Sequence, residues 1–408
     1  MENRISSDGS EAREVAVLIV SFRAPDKLAA CLTSVETHLP ACKVFVWDNS
    51  GLEFAGIRKL AEDWPNVFWT FSPDNIGFAA GVNRLAEMAP DSDLLLLNPD
   101  ALLLNSLKRT VGNLRQPGVA AAGPLDAELC ASAALPRKSG PRMQWDTSYK
   151  KLTHLNFFGG ATGLEYKLRG TAFSYRYRSQ PRDVSGFLSG CCLLISRDAW
   201  NSIGQFDEEF YLYQEEADWQ RRAIDSGWTI RLSDEIGMRH ESKGTVIGDA
   251  VRSVRSEDLA FAGAVLMGER CFGVRTAELY IAWVCLLRKV KSIVSRRRPS
   301  RCDVVVTGDQ DGNVAPAILA NAARLADTGA SVAVVSLGPL GKLPQNLPPS
   351  VRLLRRPWWC PSLGPQRARL IVKASESTRK ERMFVELYRL IHRNTIQLDA
   401  DELGRYAV

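Results

Sequence analysis

Four short apolar runs, each closed by a polar turn, set the first limit on how this chain folds. VAVLIV (15–20), KVFVW (43–47), VFWTF (67–71) and LLLL (94–97) are too short for buried helices, and the first three are rich in β-branched or aromatic residues. Between them lie stretches that read as helices: Asp26 to Thr37 behind Pro25, Ile57 to Asp63, and Gly81 to Met88. Continuous apolar strands alternating with helices predict an open α/β sheet with parallel strands buried on both faces. In such sheets ligands bind beyond the C-terminal ends of the strands. Three polar clusters fall there, Asp48-Asn49-Ser50-Gly51, Asn75 to Gly77, and Asn98-Pro99-Asp100. Together they predict a nucleotide-sized site on one sheet edge.

Farther along, Arg197 to Ile203 and Gln214 to Ser226 read as helices, the second stopped by Gly227. Residues 228–232 read as a strand. Residues 137–182 stand apart, with ten Lys/Arg against two acids, Asp146 and Glu165, and eight aromatics among them. Two readings are open for this insertion: a basic, aromatic surface for an anionic or lipidic partner, or a solvated loop. Residues 256–298 read as helices. The apolar stretch Leu279 to Leu287 followed by Arg288, Lys289, Lys291 and Arg296 to Arg298 gives a basic amphipathic end, suited either to an anionic membrane surface or to packing with a solvated tip. From Cys302 the strand–helix pattern restarts (303–307, Ala315 to Asp327, Ser331 to Ser336, Glu376 to His392), enough for a small α/β domain.

At 408 residues the chain has room for two or three domains, and 45% apolar residues suffice for real cores. Residues 1–13 are polar, without the apolar core of a signal peptide, and read as a disordered N-terminus. The nine residues of Leu279 to Leu287 cannot span a bilayer, which needs about 20. A cytoplasmic protein, held at most on the inner face of the membrane, is expected. The nine cysteines form no CxxC pair and read as reduced packing residues. A net charge of +6 does not require a nucleic-acid partner, and none is expected.

Seven segments, taken in order, resemble the family 2 glycosyltransferases, especially the bacterial rhamnosyl- and galactofuranosyl-transferase branch. They are VAVLIVSFRAP (15–25), VFVWDNSG (44–51), PDNIGFAAGVNR (73–84), LLLLNPDA (94–101), VSGFLSGCCLLISRDAW (184–200), GQFDEEFYLYQEEADWQRR (204–222) and GWTIRLSDEIGMRH (227–240). The resemblance implies a GT-A fold, a central mostly parallel sheet, over residues 14–255, with the 137–182 insertion inside it. Residues 256–300 then form a helical basic linker, and 301–408 a small domain faintly similar to part of a GT-B lobe.

The resemblance also implies roles. Asp48 accepts hydrogen bonds from the donor's nucleobase, although Asp-Asn-Ser-Gly equally suits an Asx-turn. Ser21, Asn75, Gly77, Asn83, Asn98 and Gly190 line the nucleotide-sugar site, with glycines allowing close approach. Asn98-Pro99-Asp100 stands where the family has DXD, so Asp100, with His240, is the expected ligand set for Mg²⁺ or Mn²⁺. Glu215-Glu216-Ala217-Asp218 matches the family's ED-x-D. Glu216 is the expected general base with Glu215 and Asp218 as substitutes, and Glu216 stands where Asp is usual. Trp219 is either an acceptor-stacking platform or core.

The implied activity is inverting transfer of a sugar, rhamnose from dTDP-rhamnose before a UDP-sugar, to a glycan or lipid-linked glycan acceptor. The alternative is a catalytically weakened glycan- or nucleotide-sugar-binding scaffold subunit, favoured by Asn98 and Glu216. No GxGxxG follows the first strand, which argues against a nicotinamide-dependent enzyme.

Overall fold

The computed structural model describes residues 13–127, 147–240, 250–294, 302–308, 316–337, 350–361, 368–373, 378–391 and 396–399. Most of the expected elements form within a residue or three of their predicted bounds. In chain order they begin β1 (Val15–Ser21), α1 (Pro25–His38), β2 (Lys43–Asp48), α2 (Ala55–Glu62), β3 (Val67–Phe71), α3 (Phe78–Met88), β4 (Asp93–Leu97), β5 (Ala101–Leu103), α4 (Lys108–Leu114) and β6 (Val119–Asp126). Then come β7 (Ser148–Tyr149), α5 (His154–Gly160), β8 (Phe187–Leu188), β9 (Cys192–Ile195), α6 (Arg197–Ile203), α7 (Glu215–Asp225) and β10 (Thr229–His240).

These strands build an eight-stranded sheet in the order β3-β2-β1-β4-β9-β6-β10-β5. The half made of β1 to β4 is parallel, as the apolar runs predicted; β1, β2 and β4 are sealed on both faces by two apolar clusters, while edge strand β3 stays partly exposed. The other half departs from expectation. β9 runs antiparallel between β4 and β6, and β5 antiparallel beside β10. β10 reaches through His240, so this histidine lies on a strand rather than after one. Its register with β5 places His240 opposite Ala101, next to Asp100. The sheet is α/β, mixed and mostly parallel, as the motifs implied.

Two helices follow, α8 (Ala250–Phe272) and α9 (Val274–Val294), hinged at Gly273, whose φ is +85°. The second domain comprises β11 (Cys302–Gly308), α10 (Pro316–Asp327), β12 (Val332–Ser336), β13 (Arg352–Arg355), β14 (Ala368–Lys373), α11 (Arg379–Ile391) and β15 (Ile396–Asp399). Its five strands are all parallel, in the order β13-β12-β11-β14-β15. It docks on α8 through a two-pronged pair, Arg352 to Asp258 at 2.6 and 2.7 Å, and through Arg355 to Glu269 at 2.6 Å. Such charge-assisted forks fix orientation as well as attract.

Much of the insertion's described part, 147–182, is spent internally. Arg176 is buried over the rings of Tyr149, Tyr166 and Tyr175, with the Tyr166 centroid at 4.0 Å. Phe157 stacks on Tyr280 of α9 at 3.9 Å and joins the core of the α8–α9 hairpin. Its basic and aromatic residues are therefore neither wholly a surface nor a solvated loop. The expected disordered N-terminus, the Gly308 to Gly312 loop beyond Gly308, and Arg296 to Arg298 lie outside the described residues.

Candidate functional site

The polar clusters at the ends of β1 to β4 lie on one edge, and hydrogen bonds shape the turns. Asp48 ends β2 and is buried. Its Oδ1 accepts from the Ser50 amide at 3.0 Å and the Ser50 hydroxyl at 2.5 Å, so the Asx-turn is real. Burial pushes the Asp48 carboxyl up, against the pull of those bonds and of Arg58 and Arg23. Ser21 lies beside it in register, fully buried, and its hydroxyl has no hydrogen-bond partner. Asn49 bridges to the next turn: its amide donates to the Gly77 carbonyl at 2.9 Å and its oxygen accepts from the Ile76 amide. Asn75 Oδ1 accepts from the Gly77 amide at 3.0 Å.

Gly77 has φ +92°, and a β-carbon there would lie 2.7 Å from the Tyr211 carbonyl oxygen. Only glycine fits without moving the 205–214 segment, which docks through Phe78 N–H to that oxygen at 2.8 Å. Asn83 does not line this edge as expected. It is 1% exposed, and its side chain makes two 3.0 Å bonds to the backbone of Phe206. Its polar groups are consumed in tying α3 to the 205–214 segment.

At the end of β4, Asn98 N–H donates to the Cys191 carbonyl at 2.9 Å, turning Asp100 toward β10. His240 Nε2 stands 3.2 Å from Asp100 Oδ1. Burial pulls the imidazole down, but hydrogen bonds to Asp100 and Cys191, and their charges, push it up to about 11. The pair supplies one carboxylate and one imidazole. Among the described residues no group of three or more His, Cys, Asp or Glu side chains gathers as a metal centre. Two protein ligands nevertheless fit a hard divalent cation that takes its other ligands from phosphate oxygens and water. A cation there would take the place of the imidazole proton.

The acidic start of α7 differs residue by residue. Asp218 is buried and held by Arg221 at 2.8 Å and Arg222 at 2.9 Å. Both carboxylate oxygens are engaged, so it is a poor substitute base. Trp219 is 0% exposed, stacks on Trp200 and donates Nε1–H to the Gly204 carbonyl at 2.8 Å. It is core, and no acceptor sugar reaches its face.

Glu215 and Glu216 each bury an Oε2 that has no hydrogen-bond partner. Burial, then the neighbouring Glu216 charge, holds the Glu215 carboxyl well above the ordinary range. Burial likewise raises Glu216, opposed by backbone amides that include Gly190. A β-carbon on Gly190 would meet Glu216 Cγ at 3.3 Å, so this glycine does allow close approach, to the acid itself.

Two features were not foreseen. Tyr213 and Gln214, just before α7, are non-glycine residues with φ of +72° and +77°. Such conformations cost on the order of 1–3 kcal/mol each and persist only where surroundings impose them. Here α8 imposes them: Ser256 Oγ lies 2.6 Å from the Tyr213 hydroxyl, and a β-carbon on Gly263 would sit 2.5 Å from the Tyr213 carbonyl oxygen. The second feature is Gly190-Cys191, where the glycine backs Glu216 and the cysteine acts on His240. This dipeptide joins the acid pair to the Asp100–His240 pair. Burial raises the Tyr213 phenol against its hydrogen bond to Ser256, and the charges of Glu215, Asp100 and Glu216 raise it further. Positive φ at Tyr-Gln has no sequence signal, and adjacent cysteines read as packing.

No family model matches the chain. Over 249 aligned residues, 52% of this chain and 70% of the relative, it is 28% identical to N-acetylglucosaminyl-diphospho-decaprenol L-rhamnosyltransferase of Mycobacterium tuberculosis, with the same figures for the CDC 1551 / Oshkosh and H37Rv strains. The structure of the mannosyltransferase PcManGT from Pyrobaculum calidifontis, in complex with GDP-Man and Mn²⁺, is similar at a TM-score of 0.41 and 12% identity. That match covers 70% of this chain and 81% of that one, and no conclusion rests on so distant a likeness. The rhamnosyltransferase likeness read from the motifs is thus present in a curated relative.

Proposed function

We propose that this chain, similar to rhamnosyltransferases in motif order and in its curated relatives, transfers a sugar from a nucleoside diphosphate to a lipid-linked or growing glycan, with inversion. The observation that carries the reading is the junction at Gly190-Cys191, which brings a carboxylate with one buried, partnerless oxygen and a carboxylate–imidazole pair to one strand-end edge.

The β1–β3 edge takes the nucleoside, with Asp48 and the partnerless Ser21 hydroxyl facing the base and ribose side. Asp100 and His240 would hold Mg²⁺ or Mn²⁺, which when bound neutralises charge on the leaving diphosphate. Glu216 takes the proton from the acceptor hydroxyl as its oxygen forms the bond to the anomeric carbon and the bond to the diphosphate breaks. A raised carboxyl suits this work, because a base is most effective with its pKa near working pH. Rhamnose from dTDP-rhamnose is the preferred donor because the curated relatives carry L-rhamnosyltransferase names. Their names give N-acetylglucosaminyl-diphospho-decaprenol as those relatives' acceptor, and a lipid-linked acceptor of that kind here would put the reaction at a membrane surface.

The test is release of nucleoside diphosphate from dTDP-rhamnose and UDP-sugars with Mn²⁺ or Mg²⁺ and a polyprenyl-linked acceptor, comparing wild type with Asp100→Ala and Glu216→Gln. Cation-dependent release with one donor, lost in both variants, is expected. Tight donor binding without release across donors and acceptors would replace this reading with the scaffold subunit.

A further inference from the structure

Helix α9 has two apolar faces. Ala277, Tyr280, Ile281, Val284 and Cys285 are buried in the hairpin core. Leu279, Leu286, Val290 and Ile293 are spaced by seven, four and three residues, which aligns them in one stripe on another face. They are 55%, 43%, 49% and 68% exposed. From Leu279 to Ile293 the stripe runs about 21 Å along the axis. A helix with only a core to satisfy turns polar residues outward at these positions. A contiguous exposed apolar strip of this kind marks an interaction site.

The rim identifies the partner. Arg275 extends the stripe and Lys289 lies beside it, both exposed. The helix has one acid, Glu278, which accepts from Trp359 Nε1–H at 3.0 Å. Two-fold pairing with a second copy would therefore set cationic rims against cationic rims. An anionic bilayer satisfies both features, with the apolar stripe at the acyl boundary and the ammonium and guanidinium groups among phosphates. No helix among the described residues is long and apolar enough to cross a membrane, so α9 would lie in the surface plane. Next to it Trp283 Nε1–H donates to the Phe158 carbonyl at 3.2 Å, and the Phe173 backbone abuts Gly159. The Phe173 ring itself is half-exposed.

We propose that the Leu279–Leu286–Val290–Ile293 face of α9, with Arg275 and Lys289 at its border, seats the protein on an anionic lipid surface. This deepens the proposed function, in that it rests on the acceptor being lipid-borne, but its test does not depend on turnover. Full-length protein is floated with phosphatidylcholine vesicles and with vesicles containing phosphatidylglycerol, at low and high salt. The variants are Leu286→Glu/Val290→Glu and Arg275→Glu/Lys289→Glu. Leu390→Glu, an exposed apolar residue on α11, is the control. Thermal melts check folding, and light scattering reads oligomeric state.

Wild type and the control should float with anionic vesicles only, less at high salt, and both double variants should bind at least roughly tenfold more weakly. Donor turnover on a water-soluble acceptor should be unchanged in both. Flotation that is equal for the variants, or absent in wild type, overturns the proposal. So does a wild-type dimer that the stripe variant dissolves, which would make a second copy the occupant. Normal flotation without transfer to any acceptor would instead sink the glycosyltransferase reading and leave the docking surface standing.

Discussion

Two pairs of ionisable side chains sit on either side of Gly190-Cys191, and the protein treats them in opposite ways. Asp100 and His240 answer each other's charge at 3.2 Å, and burial strengthens the attraction. Glu215 and Glu216 share a sign, are buried together, and each leaves one oxygen without a partner. Leaving a buried polar group unsatisfied costs about 1–3 kcal/mol, more if charged. The same helix shows that the cost was avoidable: Asp218, two positions on, has an arginine for each oxygen. One pair is arranged to hold a positive charge between donors, the other to keep a carboxylate avid for a proton.

The contrast within α7 gives the largest expected effect. Glu216→Gln should lower kcat by roughly 10²–10⁴ with little change in donor KM, as for loss of a general base. Asp218→Asn should lower the melting temperature while retaining most kcat per folded molecule. Steady-state kinetics beside thermal melts decide between them, and a larger kcat loss at 218 would reverse the roles assigned to the two acids.

His240→Ala tests the other pair. Titration of dTDP or UDP with Mn²⁺ should show affinity weakened by at least roughly tenfold, the usual scale for losing a ligand or its support. With EDTA present, wild type and variant should match. A variant that binds equally with Mn²⁺ would remove His240 from the metal site.

A smaller loss is expected outside both pairs. Gly263→Ala on α8 presses a methyl against the Tyr213 carbonyl and so against the bend that aims Glu215 and Glu216. Turnover should fall about tenfold, since small misplacements at a reacting centre are costly, while nucleotide affinity stays at the wild-type value. Equal loss of both would mean that the whole domain had loosened.

The smallest effect is thermodynamic. Because burial raises the Glu215 carboxyl in the folded state, protonation is tighter there than in the unfolded chain. Its contribution is full below the ordinary carboxylate range and is lost as pH rises toward the folded value. Glu215→Gln should therefore melt higher than wild type near neutral pH, and the gap should close on acidification. A gap that widens in acid would show the carboxylate to be favourably paired.

Legibility in the sequence followed how local the determining physics was. The parallel half-sheet was readable because each strand declares itself by an uninterrupted apolar run and each turn by Asp, Asn or Gly. The antiparallel strands were not: β9 and β5 take their direction from partners far along the chain. Asp100 and His240 were singled out from motif order, and only the register of β10 with β5 explains why they touch. Asn83 and Trp219 carried side chains right for sugar binding and are instead consumed by Phe206, Gly204 and Trp200, contacts that no spacing rule announces. The left-handed Tyr213-Gln214 bend was hidden for the same reason, being imposed by α8 rather than by its own residues.

That last arrangement bears on how the chain is made. Tyr213 leaves the ribosome about fifty residues before Gly263, and farther still before the Arg352 and Arg355 that brace α8 from behind. The eight-stranded sheet has all its strands once His240 has emerged, yet the turn that orients the acidic helix has nothing to hold it left-handed until the hairpin arrives. Vectorial synthesis thus completes the strand-end edge of the sheet before the bend that orients Glu215 and Glu216 is fixed.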